Sequence, residues 1–369
     1  MLDILSEVMI NQFGNYLCQK IIDVASASDL RKIVSAILNN IVEISMDNHG
    51  TRVIQTLVEV LAKNSQDFHN EFMMIIEELE QSVYEMTIHA NGNHVIQQML
   101  LVFRASDKPG DMDREGASQY HIYTNFIFKA CMIHCDEIGS NKHGCCVMQR
   151  CLEKGLLSQK IALSEVILNR LHLMIEDQYG NYLVQNVIKI NNQLMNEKIL
   201  NYIAGDFIRL SQMKFSSNVI EKCLETSEAP KQITQIFKGI HFWDDQTLVN
   251  ELGEDSRNEI VRINWIVSRL VTHIFGNYVL QRVINIVDEK LQMQILDSIL
   301  PLQGKLNATK HGQKVLTKLY KNFPQVFGKG DSALDQSAMS MGHGQKNKNQ
   351  KKHKKNNNKK QQQVQYKKI

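Results

Sequence analysis

The sequence lacks any run approaching the roughly 18 uninterrupted apolar residues that a membrane-spanning helix needs. Its first ten residues carry Asp3 and Glu7 and lack both a basic segment and a small-residue cleavage site, which argues against a signal peptide. The nucleophile and base pairings, phosphate-binding loops and paired carboxylates of enzymes are also missing. Seven cysteines, an odd number, fit reduced thiols better than a disulfide framework. We therefore expect a cytoplasmic protein that is not an enzyme.

Acidic residues are missing from the end of the chain. Residues 341–369 hold ten lysines and no acid, so the rest of the chain has 32 basic and 39 acidic residues, a net charge of −7. An acidic body argues against a protein that holds nucleic acid mainly through phosphate charge. Residues 326–369, rich in Lys, Asn and Gln, show no apolar period and are expected to be a disordered tail. The tail is either a spacer, a localisation signal or a source of sequence-independent attraction for nucleic acid.

What the sequence does contain is a short string that recurs seven times. A hydrogen-bonding pair occupies its first and fifth positions, which we call offsets 0 and +4, and usually a flat side chain occupies offset +1. The seven sets are Asn15, Tyr16 and Gln19; Thr51, Arg52 and Gln55; Asn93, His94 and Gln97; Cys145, Cys146 and Gln149; Asn181, Tyr182 and Gln185; Ser217, Asn218 and Glu221; and Asn277, Tyr278 and Gln281. An eighth string, Gln313, Lys314 and Thr317, departs from the pattern. Four of the seven spacings are 36 residues and the others are 42, 52 and 60, so this is a repeat with insertions.

The residues around each string predict its local structure. A glycine precedes seven of the eight strings, and we expect it to occupy a tight turn between two helices, where a positive φ costs glycine little. Apolar residues follow at offsets +2, +3, +6 and +7, as in Leu17, Cys18, Ile21 and Ile22. On a helical wheel these lie opposite offsets 0, +1 and +4, so one face is core and the other is polar. Each unit has room for a second, preceding helix, which predicts a curved, right-handed, all-α solenoid.

The restricted residue types on the polar face suit the bases of a single strand of nucleic acid. Asn and Gln each have a donor and an acceptor, which suits uracil, whereas an ionised Glu only accepts and suits the two adjacent donors of guanine. Thr or Cys at offset 0 leaves Gln alone, which suits adenine. Packed helices stand roughly 8–10 Å apart and stacked bases roughly 3.4 Å apart. One base per unit therefore needs a flat side chain between bases, which offset +1 supplies.

These strings resemble the Pumilio-family (PUF) repeat over about residues 1–325, matching the family's second to eighth repeats and its C-terminal cap. The resemblance implies recognition of one RNA base per repeat, with the RNA antiparallel to the protein. It therefore predicts the target 5′-UGUAUAU-3′, from the unit of Asn277 at the 5′ end to the unit of Asn15 at the 3′ end. It also implies a monomer that binds mRNA 3′ untranslated regions and recruits factors such as the deadenylation machinery, repressing translation or promoting decay.

Two alternatives remain from the sequence alone. One is a helical scaffold that binds protein, and the other is a divergent member of the family acting in ribosome assembly. The sequence also has no counterpart of the family's first repeat, because only 14 residues precede Asn15. We expect either an array truncated at this end or an apolar end that contacts a partner.

The longer spacings imply insertions near residues 104–120 and 239–262. The resemblance implies that the second insertion is a loop on which regulatory proteins dock. The alternative is a solvated loop without a partner. Insertions in repeat proteins fall on loops at one face.

Cysteine and histidine cluster in one segment, which raises the question of a metal site. The cluster consists of Cys131, His134, Cys135, His143, Cys145, Cys146 and Cys151. The repeat places Cys145 at a base-recognition offset and Cys151 at a core offset, so we expect neither metal nor cofactor. Cys146 stands where a flat side chain would stack, which predicts a weaker contact to the fourth base.

Overall fold

The computed structural model describes residues 4–103, 114–239, 255 and 258–328, with side chains omitted for residues 114–120. Within these residues all regular structure is helical and no strand occurs. No helix in the described ranges is both long and apolar enough to cross a membrane. The chain divides into two compact units, residues 1–295 and 296–369. Residues 329–369 of the expected tail, and most residues of the two expected insertions, lie outside the described ranges.

We number the α-helices in chain order. They are α1 (Leu5–Ile10), α2 (Gly14–Val24), α3 (Ala27–Ile37), α4 (Ile41–Met46), α5 (Gly50–Ala62), α6 (His69–Glu80), α7 (Val83–Ile88), α8 (Gly92–Val102), α9 (Arg114–Ile133), α10 (Cys135–Gly139), α11 (Gly144–Lys154), α12 (Leu157–Asn169), α13 (Leu171–Met174), α14 (Gly180–Lys189), α15 (Gln193–Ala204), α16 (Phe207–Gln212), α17 (Ser216–Cys223), α18 (Ala229–Lys238), α19 (Glu259–Val271), α20 (Gly276–Ile286), α21 (Glu289–Ile299), α22 (Gln303–Asn307), α23 (Lys310–Asn322) and α24 (Pro324–Phe327). Short 3₁₀ helices span Leu38–Asn40 and Leu300–Leu302. Helices α9 and α19 begin inside the two expected insertions.

The strings all lie on helices, which we call the motif helices: α2, α5, α8, α11, α14, α17 and α20, with the eighth string on α23. In the second to sixth units, a long helix and a short helix precede the motif helix, and the short helix packs against it. In the first compact unit each motif helix also contacts the next one along the chain. The seven motif helices therefore form one continuous row, as expected for a repeat in which each unit packs on its neighbours.

The apolar offsets form the core between units. In α5 the side chains of Val53, Ile54, Leu57 and Val58 are completely buried, and the same offsets are buried in the next five motif helices. In α2, Ile21 is only partly buried, and Leu17 is the clear exception, because 59% of its surface is exposed. It lies in the first unit, where no described helix packs on that side. The predicted helical faces are thus confirmed for the second to seventh motif helices.

The glycine before each string has a different role from the one predicted, because none of these glycines has a positive φ. Six of them are the first residue of a motif helix and Gly312 is the third residue of α23, and each lies against the residue six positions earlier. A Cβ atom on Gly50 would lie 2.4 Å from the carbonyl oxygen of Ile44, and one on Gly144 would lie 2.5 Å from that of Ile138. The corresponding distance is 2.1–2.9 Å at Gly14, Gly180 and Gly312, and 3.0–3.2 Å at Gly92 and Gly276. Glycine is favoured here because a Cβ atom would crowd the carbonyl of the preceding turn.

The one unit without glycine keeps the turn through a hydrogen bond. Ser216 begins α17, and its Oγ donates to the carbonyl oxygen of Leu210, six residues earlier, at 2.6 Å. The hydroxyl gives the Leu210 carbonyl a hydrogen-bond donor, whereas a methyl group at this place would only crowd it. This unit therefore keeps the same tight turn with a different residue.

We predict that Gly144→Ala destabilises the protein by about 1–3 kcal/mol, the usual cost of forcing extra atoms into a packed site. Gly304→Ala is the matched control, because a Cβ at Gly304 would meet no atom within 4 Å and alanine favours a helix over glycine by roughly 0.5–1 kcal/mol. Thermal unfolding followed by circular dichroism measures both variants. Equal melting temperatures for the two variants would contradict the steric explanation.

Candidate nucleic-acid interface

The three recurring offsets differ in exposure in the same way in all seven units. Every residue at offset 0 is buried, with at most 4% of its surface exposed. Every residue at offset +1 is exposed, and every residue at offset +4 is partly buried. The side chains of Tyr16, Tyr182 and Tyr278 are 62%, 50% and 46% exposed. Each unit therefore presents an exposed side chain beside a half-buried polar pair, and the units repeat this arrangement along the row of motif helices.

In the four units with Asn at offset 0, the Asn amide is anchored to the turn before the motif helix. Asn181 Nδ2 donates to the carbonyl oxygens of Asp177 at 2.9 Å and Gln178 at 3.0 Å. The other three Asn residues make the same two bonds at 2.7–3.0 Å. Both amide hydrogens are thereby used. The expectation that Asn offers both a donor and an acceptor to a base is corrected on this point, because its NH₂ group faces the turn.

The anchored Asn fixes the orientation of the Gln at offset +4. Because Asn181 Nδ2 is bonded to carbonyls, its Oδ1 must face the helix, where it accepts from Gln185 Nε2 at 3.0 Å. The corresponding bond is 2.8–3.2 Å long in the other three Asn units. This bond leaves Oε1 and the second N–H of Gln on the outer side. The pair therefore offers one acceptor and one donor whose order along the helix is set by the turn.

The two units with Thr or Cys at offset 0 orient Gln in the same direction. Thr51 Oγ1 donates to the carbonyl oxygen of Asn91 at 3.1 Å and accepts from Gln55 Nε2 at 3.3 Å. Gln149 Nε2 points at Cys145 Sγ, at 3.8 Å. Burial, with a smaller contribution from the neighbouring Cys146, raises the pKa of the Cys145 thiol to about 12. Cys145 is therefore an uncharged thiol at neutral pH and takes the place of the Thr hydroxyl.

The sixth unit carries the only acid at offset +4 in the seven sets. Ser217 Oγ donates to the carbonyl oxygen of Lys214 at 3.4 Å, so it does not face Glu221. The Glu221 carboxylate instead accepts from Arg282 Nε at 3.1 Å, and Arg282 belongs to the next motif helix. This carboxylate can only accept hydrogen bonds while ionised. The unit thus offers an acceptor-only surface that differs from the donor and acceptor pair of its neighbours.

A side chain four residues before offset 0 supports the turn, although it lies outside the seven predicted sets. Asp177 Oδ1 accepts from the backbone N–H groups of Tyr179 at 2.8 Å and Gly180 at 2.7 Å. Asn11, Asp47, His89, Asn141 and His273 accept from the corresponding two N–H groups in their units. These bonds satisfy N–H groups that the start of a helix leaves without partners. The recurrence of Asn, Asp or His at this offset was visible in the sequence.

A concavity of about 600 Å³ lies over the second unit. Its lining includes Gln19 of the first unit, Thr51, Arg52 and Gln55 of the second, and His94 of the third. The polar pair of one unit therefore lies between the exposed side chains of two successive units. Such a space fits a flat ligand group that is held between two planar side chains.

The structure places the remaining candidates as follows. In the described ranges no three His, Cys, Asp or Glu side chains come together in a way that could hold a metal ion, the cysteine and histidine cluster around Cys145 included. Gln313 and Thr317 of the eighth string are exposed, unlike the buried residues at offset 0 and the half-buried residues at offset +4 elsewhere. The eighth string therefore lacks the anchored pair, in agreement with its departure from the sequence pattern.

These features define an α-helical repeat protein with a repeated polar surface along its motif helices. A model of the Pumilio-family RNA binding repeat matches residues 5–38, 40–64, 82–108, 134–168, 173–204, 207–241 and 267–300. The chain belongs to the Pumilio family. The resemblance seen in the strings is thereby confirmed.

Individual relatives are similar to this chain over most of its length. A Pumilio domain-containing protein of Schizosaccharomyces pombe is 30% identical over 87% of the chain, and Pumilio homolog 12 of Arabidopsis thaliana is 30% identical over 86%. The chain spans 41% and 47% of the lengths of these two relatives. Among solved structures, the Puf4 RNA binding domain bound to the HO endonuclease RNA 3′ UTR recognition sequence is similar. It is 28% identical, with a TM-score of 0.67 over 86% of this chain and 88% of that one.

Proposed function

We propose that this chain is a sequence-specific single-stranded RNA-binding protein that recognises one base on each of its seven motif helices. The observation that carries the proposal is the repeated polar pair, whose orientation is fixed by the turn in unit after unit. A pre-oriented pair loses little side-chain entropy on binding, so its hydrogen bonds favour one base over another rather than any base equally. The proposed target is 5′-UGUAUAU-3′.

Uracil fits the Asn and Gln units because its edge carries a donor, N3–H, between two acceptors. The outer side of Gln185 offers Oε1 to that donor and an N–H to one of the acceptors. Asn181 takes part by holding the Gln amide in this orientation. The same reasoning assigns uracil to the units of Asn15, Asn93 and Asn277.

Adenine fits the units of Thr51 and Cys145 because a smaller side chain at offset 0 leaves more space for a purine. The oriented Gln still offers a donor and an acceptor, which match N1 and the amino group of adenine. Guanine fits the unit of Glu221, because its N1–H and amino group are two adjacent donors and the carboxylate accepts both. Each good bidentate contact to a base is worth about 1–3 kcal/mol of discrimination.

The exposed side chains at offset +1 would separate successive bases and stack on them. Tyr16, Tyr182 and Tyr278 provide rings, and Arg52 and His94 provide planar groups. Because the chain outside its lysine-rich end is net acidic, base contacts must supply much of the affinity. The ten lysines of residues 341–369 would add attraction for phosphate that does not depend on sequence.

The biological role that follows from this specificity is control of messages. The similar Puf4 domain is bound to a 3′ UTR recognition sequence in its solved structure, which supports mRNA 3′ untranslated regions as the targets of this chain. We propose that the chain acts in the cytoplasm as a monomer. It would repress translation or promote decay by recruiting other factors, including the deadenylation machinery. The expected docking loop within residues 239–262 lies largely outside the described residues.

The most informative experiment is selection of RNA by the full chain from a random pool. We expect a consensus that contains UGUA followed by UAU. A pool that shows no enriched sequence would refute sequence-specific recognition and would favour the helical scaffold. Binding at a similar affinity to every RNA tested would point to phosphate attraction by the lysine-rich tail.

We predict that Ser217→Asn combined with Glu221→Gln changes the preferred second base from G to U. The two substitutions recreate the pair found in the unit of Asn181, so the carboxylate that accepts from guanine is replaced by an oriented amide. Binding titrations with RNAs that differ only at the second base measure the change. Preference at the other six positions should stay as in the unmodified chain. If the double variant still prefers G, the assignment of this unit is wrong.

We predict that Tyr182→Ala weakens binding of 5′-UGUAUAU-3′ by about 1–3 kcal/mol, the usual contribution of one stacked base. Cys146→Ala is the matched control at the same offset, and because Cys146 offers no ring, its loss should change affinity little. The affinity ratio between RNAs with matched and mismatched third bases should be retained in Tyr182→Ala, since stacking is tolerant of base identity. An equal effect of the two variants would rule out stacking at this offset.

A further inference from the structure

The unit of Glu221, to which guanine is assigned, contains an ion pair between two motif helices. Among the described motif helices, no other residue at offset +4 forms such an ion pair. Arg282 lies at offset +5 of α20, the motif helix after the one that carries Glu221. Its Nε donates to Glu221 Oε2 at 3.1 Å, and its Nη1 lies 3.5 Å from Glu225 Oε1. Glu225 also accepts a hydrogen bond from Lys222, which is the main reason that the pKa of Glu225 is lowered. Two carboxylates and two cations thus form one network beside the candidate base position.

A second unit shows the same relation with neutral groups. Asn186, at offset +5 of α14, donates from Nδ2 to Gln149 Oε1 of the preceding motif helix at 3.3 Å. Asn186 is buried, and its own Oδ1 accepts from Lys189 Nζ at 2.9 Å, which fixes the direction of its amide. In both places the residue at offset +5 therefore contacts the recognition residue at offset +4 of the unit before it. The contact between Arg282 and Glu221 therefore has a neutral counterpart within the same chain.

The chemistry of the Glu221 contact favours a role in recognition. A carboxylate has about four lone-pair sites, and the contact from Arg282 Nε uses one of those on Oε2. The remaining site on Oε2 and those on Oε1 stay available for two adjacent donors. Without Arg282 the carboxylate would rotate freely on its flexible stem and would carry an uncompensated negative charge towards an anionic strand. A bonded guanidinium, which cannot deprotonate in proteins, removes both disadvantages.

We propose that Arg282 is a positioning residue for guanine: it orients the Glu221 carboxylate and offsets its charge, so that this unit accepts guanine in preference to other bases. The inference rests on the proposed function, because it concerns the same RNA-binding surface. It adds a residue from the neighbouring unit to the recognition of one base. Arg282 does not need to touch the base to act in this way.

The test uses the full chain and three substitutions. Arg282→Gln removes the charge and the guanidinium, and Arg282→Lys keeps the charge alone. Arg150→Gln is the matched control, because Arg150 has the same offset in α11 but forms its ion pair with Glu153 of its own helix, at 3.0 Å. Fluorescence anisotropy with 5′-UGUAUAU-3′, 5′-UAUAUAU-3′ and 5′-UUUAUAU-3′, repeated over a series of salt concentrations, gives the preference for G and its salt dependence.

We expect Arg282→Gln to reduce the preference for G over A and U about tenfold, a loss within the range of one bidentate base contact. Arg282→Lys should retain part of the preference, and Arg150→Gln should retain all of it. Thermal unfolding of the variants checks that each is folded, and only the G preference separates a positioning role from a structural one.

Two results would overturn the inference. If Arg282→Gln weakens all three RNAs equally and lowers the slope of log affinity against log salt by about one, Arg282 contacts a phosphate instead. If Arg282→Gln leaves both affinity and preference unchanged, the ion pair has no role in recognition. A chain with native Arg282 that shows no preference for G would refute the proposed function, and with it this inference, so the two failures are distinguishable.

Discussion

The close packing of each motif helix against the turn before it is the constraint on which the rest of this protein depends. There is no room for a side chain where Gly144 meets the carbonyl of Ile138, and the same distance of six residues recurs in every unit. This contact folds the turn so tightly that its carbonyls lie above the first position of the string. An Asn at that position bonds two of those carbonyls, and the direction of the following Gln is then determined. A steric requirement of the backbone thereby determines, through a series of hydrogen bonds, the orientation of the polar groups on the outer surface.

Burial of the residue at offset 0 is what fixes this orientation of the polar groups. A buried amide that left its hydrogens without partners would cost about 1–3 kcal/mol, so the arrangement with both hydrogens on carbonyls is strongly favoured. Reversing the Asn181 amide would also place its NH₂ group against that of Gln185. The exposed residue at offset +1 has no such restraint, which agrees with the variety of residues found there, from tyrosine to cysteine. The same helix face therefore carries a rigid residue at offset 0 and an adaptable residue at offset +1.

Much of this could be predicted from the sequence, because the features involved repeat. The period, the helical faces and the polar sets follow from spacing alone, and the structure confirms a helical array with these offsets in register. The predicted role of glycine was wrong because a positive φ and a lack of space both select glycine. Ser216 could have decided the matter, since a serine fits a crowded turn better than a left-handed one. The direction of the Asn amide depends on carbonyl positions that no residue pattern reveals.

The contact between Arg282 and Glu221 could not be predicted for a different reason: 61 residues separate the pair, and an insertion interrupts the period between them. Its existence changes how the units should be understood. If a residue of one motif helix bonds the recognition residue of the helix before it, then a unit's preference for a base is not carried by its own string alone. Gln149 and Asn186 extend the same dependence to a neutral pair. Exchanging two residues of a string between units would then transfer a base preference fully only where the following unit supplies a compatible neighbour, and the array recognises RNA through pairs of adjacent units.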